Sequence, residues 1–392
     1  MHFPTSIENE SKQCQVANGA IGERSDLKMT IYFAPQYLSI NPYQKQLASS
    51  LEDLGARVEG VNGMTVFLPK AIKSKNLNVV HLHWLHQYYR APEFKKFPIF
   101  KVLRFPFAVL TLIKFLSGLI FLKAVGIKIV WTAHNLKSHE ALFPLLDYVC
   151  RLIVVYLSDA VIAHGPAAKA AIARRYQLKK LEKIRIVPHG NYIQSYDNSV
   201  AQPEARQVLG IENTSLVFLF LGLVRPYKGV GELIEVFNQI EHPDKTLIIA
   251  GKTLNDSFSQ EIKAKAETQT NIKFIPGFVP DEEIQTYMNA SDAVVFPYRD
   301  VLTSGAMILA MSFGKPCIAP SIGCVQEILD PAGAFLYDPG QTNGLLKAME
   351  QTTCKKNDLR SMGAHNRCLA KHWDWTAIAQ QTLEIYLQIS GA

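Results

Sequence analysis

"FLFLGLVRPYKGVGELIEVF", Phe218–Phe237, reads as a buried strand, a short loop and an amphipathic helix. The loop carries Arg225 and Lys228 on either side of Pro226 and Tyr227. Ligands of open parallel sheets gather beyond the carboxyl ends of the strands, so two fixed cations at such a turn mark a place for an anion. Gly222 permits close backbone approach, Pro226 stiffens the loop, and Gly229 lets a helix start beside it. The Arg225 guanidinium can grip phosphate oxygens with its planar fork, and Lys228 adds a point charge. Taken alone, the same residues also describe a solvated basic turn.

Outward from this stretch, strands alternate with helices along the chain, the pattern of parallel sheets with helical crossovers. The strings "TIYFAP", "ARVEGV", "VVHLHW", "KIVWTAH", "AVIAHG" and "IRIVPHG" read as strands of a first half. "LVFLFLG", "TLIIAG", "IKFIPG", "AVVFPY" and "PCIAPS" read as those of a second. Several are unbroken Val, Ile, Leu or Phe runs, as in strands covered on both faces. A short echo joins the halves: "LSDAVIAHG" from Leu157 and "ASDAVVFPY" from Ala290. A length of 392 residues also favours two domains. The expected class is α/β, with two Rossmann-like units at 29–196 and 204–371. Residues 1–28, polar and irregular, are expected to be a disordered leader or the product of an upstream start codon, with no signal peptide, and are set outside the fold. Residues 372–392 form a last helix whose spacing leaves its docking partner open.

Composition narrows the function classes. A hydrophobic fraction of 48% and a charged fraction of 19% belong to a folded protein. Six cysteines form no CxxC pair, which points to reduced thiols in the cytoplasm. Between Phe94 and His139 there are eight Lys or Arg and no Asp or Glu, more than the whole chain's net charge of +7. A nucleic-acid binder would spread such charge along a groove with interleaved aromatics. Here it sits on "FKKFPIFKVLRFPFAVLTLIKFLSGLIFLKAVGIK", a very apolar stretch interrupted by Lys114. A pair of helices lying on an anionic membrane, with cations snorkelling to head groups, is the expected arrangement. A spanning helix and buried helices with basic ends are the alternatives.

Three further elements follow strands. In "FPYRDVLTSGAMILAMSFGKP", Phe296–Pro316, the small residues Thr303, Ser304 and Gly305 leave helix N-terminal amides uncovered for a phosphate. A helix-capping role for Thr303 or Ser304 fits the same pattern and can coexist with it. Phe278 and the Val279 backbone, ahead of Asp281, can take a base ring, although Pro280 with an acidic first turn is also ordinary helix-start chemistry. His81, His83, His86, His134 and His139 lie near strand ends, without HExxH spacing or a nearby carboxylate, so no metal is expected. His134, at the end of a buried strand, can bond a sugar, accept a proton, or simply sit in the core.

Together these pieces resemble the GT-B nucleotide-sugar glycosyltransferases, family 4-like and near bacterial exopolysaccharide enzymes, from Met29 to the last helix. The resemblance rests on "FLGLVRPYKGV", "PGFVPDEEI", "ASDAVVFPY", "LAMSFGKPCIAP", "VQEILDPAGAFLYDPG" and "KHWDWTAIAQQTLEIY". It implies that Arg225 and Lys228 bind the donor diphosphate, that Phe278 and Val279 cradle the base, and that His134 contacts the donor sugar. It also implies an acceptor-binding first unit and a last helix that crosses back to it. One departure stands out. The family's two glutamates around the helix before the "GKP" turn fall at Val301 and Leu309, so ribose recognition must come from elsewhere.

The implied reaction is metal-free, cofactor-free transfer of a hexose, with mannose a family-level preference, to a saccharide or lipid-linked acceptor. Arg225, Lys228 and the amides at Thr303–Gly305 would meet charge on the leaving diphosphate. An inverting transfer needs a base, for which His134, Glu140 and Asp300 are candidates. A catalytically inactive sugar-nucleotide-binding partner or sensor is the main alternative. A Rossmann oxidoreductase is disfavoured, because no strand leads into G-x-G-x-x-G.

Overall fold

The computed structural model describes residues 29–36, 41–62, 77–89, 102–138, 141–254 and 256–391. Its strands form two six-stranded sheets in which every pairing is parallel. The first holds β1 (Met29–Ala34), β2 (Arg57–Gly60), β3 (Leu77–Leu82), β4 (Lys128–Thr132), β5 (Ala160–Ala163) and β6 (Ile184–Ile186), ordered β2-β1-β3-β4-β5-β6. The second holds β7 (Leu216–Leu221), β8 (Lys245–Gly251), β9 (Ile272–Pro276), β10 (Ala293–Val295), β11 (Cys317–Pro320) and β12 (Ala334–Tyr337), ordered β12-β11-β10-β7-β8-β9. Each order reverses once, between β1 and β3 and between β7 and β10. Such a reversal opens a crevice at the carboxyl edge of a sheet.

Apolar runs become central strands because helices cover both their faces. All six residues of β7 are buried, and they anchor one core. The first sheet has a core on each face. The "SDA" echo has a structural cause. Asp159 accepts from the Ile129 amide at 2.9 Å and pairs with Lys123 at 2.8 Å. Asp292 accepts from the Val217 amide at 2.7 Å and pairs with Arg206 at 2.8 Å. In both sheets an aspartate thus clamps the start of the neighbouring central strand, satisfying an amide that would otherwise be exposed at the sheet edge.

The last helix, Trp375–Ser390, packs against helix Pro42–Asp53 and β4. Trp375 Nε1 donates to Asn191 O at 2.7 Å, and the Tyr386 hydroxyl bonds His81 Nδ1 at 2.6 Å. Gly190 is obligatory beneath this helix, because a Cβ there would run into the Trp375 ring.

The described part of the apolar basic stretch forms one helix, Arg104–Ala124; residues 94–101, where the other member of the expected pair would begin, lie outside the described set. By length and composition this helix could cross a membrane. Ala108, Leu112, Phe115, Leu119 and Leu122 make one buried stripe at helical spacing, which fixes the helix on the first sheet's core. Phe105, Phe107, Leu110, Ile113 and Ile120 are exposed. Among the described residues all cysteines are unpaired. The expected leader, 1–28, lies outside the described residues.

Candidate active site

The crevice of the second sheet lies where β7 and β10 part. Gly222, Gly251 and Gly277 end the adjacent strands β7, β8 and β9 with φ of +140°, +151° and +140°. A Cβ on Gly251 would collide with the Gly222 carbonyl, so the strand ends approach more closely than any other residue allows. Gly229 is equally constrained, its Cβ position being filled by the Pro297 carbonyl. The Arg299 amide donates to Tyr227 O at 3.0 Å, tying the loop after β7 to the loop after β10.

Two cations sit in this tied pair of loops. Lys228 Nζ lies 3.7 Å above the centre of the buried Tyr298 ring, a cation–π contact that aims the ammonium. Arg225 is buried, and its Nη1 donates to Val224 O at 2.9 Å and Lys252 O at 3.1 Å. Part of its fork therefore holds the β7 and β8 loops together. The next helix, Gly305–Ser312, starts at Ser304, whose hydroxyl accepts from the Met307 amide at 3.3 Å. Ser304 is thus a helix cap, and the amides of the first helical residues have no partner within the helix. Leu309 is buried in the second core, so the position a family glutamate would occupy serves packing here. Phe278 is 77% exposed, while Val279 packs against the core.

The first sheet presents a different edge. Its adjacent strands β3, β4, β5 and β6 are followed by His83, His134, His164 and His189. Tyr43 lies among them, its ring centre 4.9 Å from those of His134 and His189 and 5.6 Å from that of His164. His83 Nδ1 and His134 Nε2 are 3.2 Å apart, and His134 stacks on Trp84 at 4.5 Å. Beneath the row, His81 is a core residue whose nitrogens meet Thr132 Oγ1 and Tyr386 OH, both at 2.6 Å. Burial holds His81 and His189 down to about 3 and His164 down to about 4, and pushes His83 and His134 well below the usual imidazole range. These rings are neutral at neutral pH. His164 and His189 were not singled out from the sequence. The available signal was that four consecutive strand strings each close on a histidine.

Three contacts bring the two edges together. Thr303 Oγ1 donates to His134 O at 3.2 Å, Lys137 pairs with Asp300 at 2.7 Å, and Glu327 accepts from the Ala167 amide at 2.6 Å. His164, His189, Thr303, Ser304 and Glu327 line one cavity of about 160 Å³ between the sheets. Glu140 lies outside the described residues. No cluster of three or more metal-ligating His, Cys, Asp or Glu occurs among the described residues.

Paired nucleotide-type sheets facing across a crevice define the GT-B class, and solved structures share this fold. Sucrose-phosphate synthase from Thermosynechococcus elongatus superposes with a TM-score of 0.69 at 18% identity, over 92% of this chain and 98% of that one. HepE of Anabaena, solved with UDP and glucose, gives 0.68 at 18% identity, over 91% and 98%. Residues 201–367, the body of the second half, match the family described as Glycosyl transferases group 1. The chain is 24% identical over 379 residues to a GDP-mannose:glycolipid 4-beta-D-mannosyltransferase of Xanthomonas campestris pv. campestris, covering 93% of both chains.

Proposed function

We propose that the protein is a hexosyltransferase that moves a hexose from a nucleoside diphosphate sugar to a hydroxyl of a saccharide or lipid-linked acceptor in polysaccharide biosynthesis. The observation that supports it most is the end-to-end similarity to a glycolipid mannosyltransferase. An enzymatic relative along the whole length favours transfer over a binding-only partner, and makes GDP-mannose the first donor to test.

In this reading the diphosphate lies between Lys228 and the first amides of helix Gly305–Ser312. Charge that builds on the leaving group is met there by a fixed ammonium and oriented N–H groups. The Arg225 guanidinium braces the same loops and lends its charge. Phe278, exposed at the end of β9, offers a face to the base, with the Val279 backbone beside it. His134 lies on the facing wall beside Thr303, where it can touch the hexose. Of the bases read from the sequence, His134 and Asp300 lie among the described residues and can accept the proton released by an inverting transfer, with Glu140 a third by sequence.

Arg225→Ala combined with Lys228→Ala tests the reading. Each charge-assisted bond contributes about 1.5–3 kcal/mol, so nucleoside diphosphate affinity should fall by a factor of about 100 or more. Unchanged affinity and transfer in the double variant would refute it. Protein cations replace a metal in this scheme, so turnover should persist in EDTA.

The exposed face of helix Arg104–Ala124, with Lys114 on its open side and a wholly cationic segment around it, suits an anionic membrane on the cytoplasmic face. It would bring the crevice to a lipid-linked acceptor. Sedimentation with anionic but not neutral vesicles is expected, and indifference to both would remove this part of the reading.

A further inference from the structure

His164 and His189 are chemically matched. His164 Nδ1 lies 3.0 Å from Val187 O, and His189 Nδ1 lies 2.8 Å from Gly190 O. A carbonyl oxygen only accepts, so in each neutral ring Nδ1 carries the hydrogen and Nε2 is a bare lone pair. His164 is 7% exposed, and its buried Nε2 has no partner among the described residues. His189 Nε2 lies 3.6 Å from where a Cβ on Gly305 would stand, beside the helix start. The ring centres are 5.2 Å apart, and both residues line the cavity that Thr303 and Ser304 close from the other side.

Two lone pairs without a hydrogen of their own repel phosphate oxygens and complement hydroxyl hydrogens. If the helix start takes the diphosphate, the group one bond beyond it is the hexose. We propose that His164 and His189 form an acceptor pair that binds hydroxyl groups of the donor hexose through their Nε2 atoms. The inference rests on the glycosyltransferase reading above and adds the residues that recognise the sugar. The ribose also carries hydroxyls, so the test must separate the two sources.

His164→Asn and His189→Asn keep an amide hydrogen near the Nδ1 position while deleting the Nε2 lone pair. His164→Gln and His189→Gln place an amide oxygen near Nε2. Calorimetric titration of the full chain with GDP, GDP-mannose, UDP and UDP-glucose compares each nucleotide with its sugar. The Asn variants should weaken the preferred nucleotide sugar about tenfold, the loss of one hydrogen bond, and leave the matching nucleoside diphosphate unchanged. The Gln variants should recover most of that loss. Retained nucleoside diphosphate binding reports an intact fold; if one Asn variant loses it, the other decides. Asn variants that leave both ligands unchanged, or weaken both equally, overturn the inference. Wild-type protein that binds none of these four, nor ADP- or dTDP-sugars, overturns the glycosyltransferase reading itself.

Discussion

The two sheets meet the crevice with opposite chemistry. Four adjacent strands of the first end in imidazoles, His83, His134, His164 and His189, whereas three adjacent strands of the second end in glycines, Gly222, Gly251 and Gly277. The glycine edge removes side chains so that strand ends and neighbouring loops approach closely. The histidine edge adds side chains that are useful only while neutral. One edge is therefore limited by space and the other by protonation, and they should fail under different insults.

Acid should break the histidine edge first, and by the largest margin. His81, His164 and His189 are held near 3, 4 and 3, against 6.5 for a free imidazole. Below pH 6.5 the unfolded chain binds protons that the folded chain refuses, so stability rises with pH in this range. The contribution is complete above 6.5 and is lost as pH falls toward 4. Between pH 6.5 and 5 each such histidine costs about 1.5 kcal/mol, or about 5 kcal/mol for the three. Urea unfolding across this range should show the loss, with a shallower slope in His164→Asn. A flat profile would mean the rings are hydrated and protonated in the fold.

The glycine edge should break under a single methyl group at any pH. Gly251→Ala sets a Cβ against the Gly222 carbonyl at a φ of +151°, backbone against backbone, so no side-chain rotation relieves it. Strain and overpacking together should cost about 3 kcal/mol and weaken nucleotide binding with it. Equilibrium unfolding at pH 8, where the histidines contribute nothing to the slope, isolates this term. Wild-type stability there would show that the strand ends are looser than described.

The Gly222 turn of the glycine edge was the more legible in sequence, for a physical reason, while Gly251 was not read there. Gly222, Arg225, Lys228 and Gly229 are local: strand, turn and helix start lie within a dozen residues, and the turn chemistry speaks for itself. The "SDA" echo was legible because one aspartate does one job twice, at Asp159 and Asp292. The histidine row was not, because each ring belongs to a different strand and only the lateral order β3-β4-β5-β6 brings them together. His83 and His134 stand out in the sequence, whereas His164 and His189 read as ordinary strand ends. The apolar basic segment was legible as composition, but its single buried stripe depends on what the first sheet offers it.

Tyr386→Phe probes what stands beneath the histidine row without touching the crevice. The hydroxyl bonds His81 Nδ1 at 2.6 Å, inside the core. Its removal leaves a buried ring nitrogen without a partner and should cost about 1–2 kcal/mol. Nucleoside diphosphate affinity, measured in parallel, should not move. If it does, the last helix sets the crevice geometry as well as the stability of the first sheet.

The smallest effect is expected at an ion pair that joins the loop after β4 to the loop after β10 among the described residues. Lys137 and Asp300 meet at 2.7 Å, but their side chains are 56% and 49% exposed. Solvent screening leaves such a pair worth about 0–1 kcal/mol, so Asp300→Asn should lower stability by less than that. The deficit should vanish in about 1 M salt, where the screening length is only about 3 Å. Turnover discriminates more sharply. A carboxylate already engaged by an ammonium on an open rim suits a latch between the loops, and Asp300→Asn should then lower turnover by less than about tenfold. A loss of about 10²–10⁴-fold at unchanged stability would instead make Asp300 the base that takes the acceptor proton. The proton would then leave from the glycine side of the crevice, and the histidine side would keep only the task of holding sugar.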